Sequence, residues 1–170
     1  ISLANWLVTR CIKPRLLPKM DYGGAVPQED ATLVAVPCML ISLSNIEELA
    51  EALEVRYLAN PHKNLFYSLI ADYKDADKAV LDQDSPLLQH AIKNIEELNK
   101  KYRAHAAPDP QEVTQQQENN QTSPDIFYLF VRNREWSSGE KVWMGRERKR
   151  GKLGDLNQYL LHLQQVDTIN

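Results

Sequence analysis

The stretch "NLFYSLIAD", residues 64–72, runs from Leu65 to Ala71 without a charge and without the alternation of a strand that has one wet face. A near-continuous apolar run of this length, ended by an acid, is the pattern of a strand covered on both sides, as in parallel sheets. It predicts a strand over 65–71 that stops at Asp72. On its N-terminal side, "SNIEELAEALEVRYLAN" (44–60) has Ser44 and Glu47 spaced as a capping box, and Ile46, Leu49, Ala50, Leu53 and Tyr57 recur at helical spacing. Before that helix, "ATLVAVP" reads as a short buried strand over 32–36 ending at Pro37.

On the C-terminal side, "SPLLQHAIKNIEELNKKY" (85–102) opens with Ser85 as cap and Pro86 in the first helical position. Leu88, Ala91, Ile92, Ile95, Leu98 and Tyr102 then line one face. "DIFYLFVR" (125–132) supplies a third strand over 126–132, and a last helix is expected over 153–163 with Leu156, Tyr159, Leu160 and Leu163 in register. The order β-α-β-α-β, followed by a basic loop and a helix, defines an α/β fold. Its expected form is a Rossmann-like three-layer half-sheet of mainly parallel strands.

A chain of 170 residues, 43% hydrophobic, suits one such domain over 31–170, preceded by a lead-in over 1–30. The opening "ISLANWLVTR" is apolar with a basic end but is about half the roughly 20 residues needed to cross a bilayer. With Arg10, Lys13, Arg15 and Lys19 behind it, it suits the cytoplasmic end of a membrane helix and, equally, a surface helix. Residues 104–124, rich in Gln and Pro and poor in large apolar side chains, read as a mobile polar insertion. Cys11 and Cys38 have no partner at metal-ligand spacing and read as structural thiols of a reduced compartment.

In open parallel sheets ligands sit beyond the carboxyl ends of the strands, here 37–42, 72–75 and 132–136. The first of these, "VPCML", has no glycine, which excludes both the dinucleotide fingerprint and the P-loop. Asp72, at the tip of the second strand, can accept hydrogen bonds from a base or ribose edge, or can simply hold the turn. Two Asp-x-Asp triplets, Asp75/Asp77 and Asp82/Asp84, have a spacing that can hold a divalent cation, but the signal is weak, since both lie in a polar loop just before a helix, where acids suit its N-terminal dipole. His62 and His90 are isolated, and no nucleophile-base pairing is suggested by spacing.

The strongest feature is "WMGRERKRGKLGDLN" (143–157). Arg146 to Lys152 carry five cations and one acid in a chain whose total charge is −3. Such a segment offers charge-assisted donors to phosphate, glycines (Gly151, Gly154) for close backbone approach, and the start of a helix behind them. The plain alternatives are a solvated charge run or a patch for anionic lipid or nucleic acid. Basic and aromatic residues do not interleave as nucleic-acid modules require, so a nucleic-acid partner is not expected.

Taken together, "PRLLPKMDYGGAVP" (14–27), "TLVAVPCML" (32–40), "LEVRYLANPHKNLFYSLIADYKDAD" (53–77) and "FYLFVRNREWSSGEKVWMGRERKRGKLGDLN" (127–157) resemble the glucosyltransferase domain of bacterial cyclic β-1,2-glucan synthases. The resemblance covers nearly the whole chain outside the polar insertion. It implies the N-terminal part of a GT-A fold, UDP-glucose as donor, growing β-1,2-glucan as product, and a location on the cytoplasmic side of a bacterial inner membrane. It further implies that Pro37 and Asp72 line the uridine pocket and that Lys149, Arg150, Gly151, Lys152 and Asn157 border the diphosphate. A divalent cation, Mg2+ or Mn2+, is implied for the whole enzyme, with its Asp-x-Asp and the catalytic base expected beyond these residues. The chain is therefore expected to be the donor-binding half of a catalytic domain, completed by other domains of one polypeptide and inactive alone. Rival expectations are a non-catalytic nucleotide-binding module and an anionic-surface module.

Overall fold

The computed structural model describes residues 2–11, 26–103 and 124–167. The polar insertion over 104–124 lies almost wholly outside them, as do residues 12–25 of the lead-in over 1–30. Helix α1 (Ser2–Cys11) comes first. A single 3-10 turn at Gln28–Asp30 then leads into strand β1 (Thr32–Leu40). Helix α2 (Leu43–Ala59), strand β2 (Leu65–Tyr73), helix α3 (Asp84–Arg103) and strand β3 (Phe127–Arg132) follow. A hairpin of β4 (Glu135–Ser137) and β5 (Val142–Met144) precedes the last helix, α4 (Arg148–Asp167). Among the described residues no helix is long and apolar enough to cross a membrane.

The strands β1, β2 and β3 form one sheet in that order, and both pairings are parallel. Strand residues alternate between faces, so Tyr67, Leu69, Ala71 and Tyr73 point one way and Ser68, Ile70 and Asp72 the other. The first set packs with Ile46, Ala50 and Leu53 of α2 and with Leu87, Ala91, Ile95, Leu98 and Tyr102 of α3. The two helices also pack on each other, so they share that face. The opposite face carries α4 at its carboxyl end, where Tyr159 meets Phe130 edge-on at 5.9 Å between ring centroids. This is the expected three-layer, Rossmann-like half-sheet.

Several boundaries differ from the expected ones for local reasons. Strand β1 continues through Pro37 to Leu40, because an edge strand tolerates a residue without an N–H. Helix α2 starts two residues earlier than the Ser44/Glu47 pattern suggests. Ser42 is its cap, accepting from the Asn45 N–H at 3.1 Å while Asn45 Oδ1 accepts from the Ile41 N–H. Glu47 instead meets His90 of α3 at 3.2 Å. Asp72 lies inside β2, which runs one residue further. On α3 the buried apolar residue of the first turn is Leu87, beside buried Asp84, with Leu88 half-buried.

The return from α3 to β3 is held by one buried amide. Asn99 Oδ1 accepts from the Ile126 and Phe127 N–H groups at 3.1 and 2.9 Å, and its Nδ2 donates to the Phe127 carbonyl. An unpaired buried amide costs about 1–3 kcal/mol, so this saturated contact fixes where β3 begins.

Candidate functional site

The carboxyl ends of β1, β2 and β3 meet the first turn of α4, and a compact ionic knot joins them. Asp72, 5% exposed, sits at its centre. Arg132, the last residue of β3 and the register partner of Asp72, donates from Nε to Asp72 Oδ1 at 2.9 Å and from Nη2 to Oδ2 at 3.2 Å. Lys152 of α4, also 5% exposed, places Nζ 2.9 Å from Asp72 Oδ2 and donates to the Cys38 carbonyl at 2.7 Å. One lysine thus ties α4 to β1 and β2 together.

Arg132 reaches further. Its Nη1 donates to Asp155 Oδ2 at 2.6 Å, and its Nη2 lies 3.2 Å from the carbonyls of Arg146 and Arg148. Burial alone would weaken the Arg132 charge, but the Asp72 and Asp155 carboxylates outweigh it and raise its pKa. The same hydrogen bond from Arg132, with Arg146 beside it, holds Asp155 below the ordinary carboxylate range against burial. Cys38, half-buried next to Lys152 and Asp72, has its thiol pushed up to about 11, mainly by burial. It is protonated at neutral pH.

Two glycines make this closeness possible. A Cβ on Gly145 would lie 2.6 Å from the Asp72 carboxyl carbon, and one on Gly151 would lie 2.0 Å from the Arg146 carbonyl oxygen. Between them Glu147 and Arg148 take positive φ, 51° and 49°, a conformation that non-glycine residues adopt at a cost of about 1–2 kcal/mol each. The carbonyls of this strap are what Arg132 holds.

The basic segment is therefore not a loop ahead of a helix. Helix α4 begins at Arg148, so Arg148, Lys149 and Arg150 form its first turn, with no acid in that turn. Arg148 pairs with Asp75 and Glu140 at 3.1 and 2.9 Å, Arg150 pairs with Glu147 at 3.0 Å, and Lys149 has no ion pair among the described residues.

Of the expected site residues, Asp72, Gly151 and Lys152 come together in the knot. Lys149 and Arg150 are exposed on the turn above it. Asn157 is exposed two helical turns further on, and Pro37 lies half-buried in β1, one residue before the carbonyl that Lys152 binds. Sequence reasoning missed Arg132 and Asp155. The signal for Arg132 was a charge ending the otherwise apolar "FYLFVR"; Asp155 had none beyond its place four residues after Gly151. Of the Asp-x-Asp acids, Asp84 binds Arg134 bidentately at 2.5 and 3.0 Å, both nearly fully buried, and Asp75 binds Arg148. Arg134 also stacks over Tyr73 and donates to the Lys74 carbonyl, which fixes the segment between β2 and α3.

No group of three or more His, Cys, Asp or Glu able to hold a metal ion occurs among the described residues. With Asp72, Asp75, Asp84 and Asp155 all engaged by cations, these residues do not fit a divalent metal site. Every buried side-chain nitrogen or oxygen among them has a hydrogen-bond partner.

No protein-family model matches the chain. It is 32% identical over 160 residues to the cyclic beta-(1,2)-glucan synthase NdvB of Rhizobium meliloti (strain 1021). The chain is related to a segment of that synthase. The alignment takes in 94% of this chain, the ionic knot and the hairpin included, and the chain spans about 5% of the length of that relative.

Proposed function

We propose that this chain is the donor-binding segment of a glucosyltransferase that builds β-1,2-glucan, of the GT-A type, taking UDP-glucose at the carboxyl ends of its strands. The observation that carries the reading is the first turn of α4. Three consecutive cations occupy the end of a 20-residue helix that is already electropositive, with no acid among them. Each such charge costs about 0.3–1 kcal/mol at the wrong end of a helix dipole, and a diphosphate would reverse the sign of that term. The relation to a glucan synthase supplies the substrate class.

In this reading the knot positions and the exposed turn binds. Lys149, Arg150 and the first free N–H groups of α4 meet the diphosphate; Asp72, Arg132 and Lys152 hold the turn over the strand ends; Pro37 and Asp72 border the uridine; Asn157 and Gly151 shape the wall. In the whole enzyme the acceptor 2-hydroxyl loses its proton to a carboxylate base supplied elsewhere and attacks the anomeric carbon. The bond to the diphosphate oxygen breaks with its electron pair leaving on UDP, whose charge Lys149 and Arg150 neutralise. No step is assigned to a metal, since the residues here do not fit one. The growing glucan, other domains of the same polypeptide and the cytoplasmic face of a bacterial inner membrane complete the proposed setting.

Calorimetric titration with UDP, UDP-glucose, uridine and inorganic pyrophosphate tests this, with and without Mg2+ or Mn2+. Selective binding of the uridine diphosphates, and no glucosyl transfer by the chain alone, is expected. Pyrophosphate binding as well as UDP would favour a non-selective anion surface, and no binding at millimolar nucleotide would overturn the proposal.

A further inference from the structure

Beside the knot, between the β4–β5 hairpin and the strap at 145–148, lies a cavity of about 490 Å³. Three acids (Glu135, Glu140 and Glu147) and two arginines (Arg146 and Arg148) line it with Trp136, Ser137 and Met144, and Glu147 is already paired with Arg150 at 3.0 Å. Its size falls in the range of small-molecule sites, about 300–1,000 Å³.

The chemistry of the lining selects against an ion. Each guanidinium already faces carboxylates: Arg148 meets Glu140 at 2.9 Å and Asp75 at 3.1 Å, and Arg146 meets Asp155 at 3.1 Å and Glu135 at 3.9 Å. An anion would have to displace these acids, and a cation would meet the two arginines. A neutral ligand rich in hydroxyls avoids both conflicts, because a planar carboxylate accepts from adjacent hydroxyls and a planar guanidinium donates to them in pairs. Strand alternation sends Glu135, Ser137 and Met144 to the same side of the hairpin. Buried Met144 therefore gives that side an apolar floor for the C–H face of a sugar ring. Trp136, 52% exposed and braced against Trp143, also lines the cavity.

The cavity is joined to the knot. The carbonyls of Arg146 and Arg148 accept from Arg132, which holds Asp72, and the Trp143 main chain bridges to Ala76 just beyond β2. We infer that this cavity is a carbohydrate subsite for a neutral gluco-oligosaccharide, lying next to the donor site. The identity of the sugar rests on the function proposed above; the neutrality of the ligand rests on the lining alone.

The test is a 15N-resolved NMR titration of the whole chain with a β-1,2-linked glucose disaccharide, with UDP titrated separately so that failure of either site is read independently. Shifts are expected at Ser137, Glu140 and Arg148, with millimolar affinity indifferent to salt. Glu140→Gln is expected to weaken binding by about five-fold, as exchange of a charged acceptor for a neutral one does, and Lys93→Ala, exposed on α3, to leave it unchanged. Arg148 loses one of its two carboxylate partners in Glu140→Gln, so Glu135→Gln serves as a second variant, with the same weakening expected. No shifts at saturating disaccharide, shifts elsewhere, or affinity unchanged in both Gln variants would overturn the assignment. Shifts at these residues with UDP instead of the disaccharide would also overturn it.

Discussion

At the scale of single residues, Lys149 and Lys152 lie three apart on one helix and do opposite things. Lys152 is buried against Asp72 and the Cys38 carbonyl, so removing it leaves a buried carboxylate with one cation fewer. Breaking such a pair from one side costs about 3–5 kcal/mol, and Lys152→Ala or Asp72→Ala is expected to lower stability by that order, read as a fall in the urea midpoint. Lys149→Ala should shift it by less than about 0.5 kcal/mol, because the side chain is exposed and has no ion pair among the described residues. Equal effects of Lys149→Ala and Lys152→Ala would contradict the division into a knot that positions and a turn that binds. The sequence presented these lysines as one charge run. It could not separate them, since burial depends on where Asp72 and Cys38 arrive from 80 and 114 positions away.

At the scale of the element, α4 was legible in its second half and not in its first. Leu156 and Tyr159 mark a helix by spacing, but Gly151 among cations reads as loop. In the fold Gly151 is helical, and having no Cβ it lets the Arg146 carbonyl pass where a Cβ would be. Gly154, by contrast, has nothing within 4 Å of such a Cβ. Gly154→Ala is therefore expected to raise stability by up to about 1 kcal/mol through helix propensity, and Gly151→Ala to lower it, both measured by thermal unfolding. A destabilised Gly154→Ala would mean that the helix is not continuous there. The hairpin escaped sequence reading for a related reason. Its strands are three residues each, too short for alternation to declare itself, and its anchoring is through the main chain of Trp143 to Ala76.

At the scale of the whole molecule, the parallel sheet was legible because each strand is an apolar run separated by an amphipathic helix, and burial on both faces demands that pattern. What joins its layers at the carboxyl end is ionic instead, and this sets the pH response. Asp84 is held below its ordinary 3.8 chiefly by Arg134 and Asp155 chiefly by Arg132; away from that end, between α2 and α3, Glu54 is held below its ordinary 4.5 chiefly by Lys101. For a depressed carboxylate, the stabilisation is fully present above the unfolded-state value and is lost as pH falls through the folded one. The melting temperature is therefore expected to be flat from pH 7 to about 5 and to fall below about pH 4. Replacing Asp84 by Asn should flatten that acid limb as well as lower the plateau. An acid limb unchanged in Asp84→Asn would show that the Arg134 pair carries none of it.

The most direct test of the donor reading is a residue-by-residue map of UDP on the chain by 15N NMR, repeated with Lys149→Ala and Arg150→Ala. The expected result is amide shifts centred on Lys149, Arg150 and Gly151 at the start of α4, with affinity weakened by both substitutions and further by added salt. Shifts centred away from the strand ends, or affinity untouched by both substitutions, would contradict it.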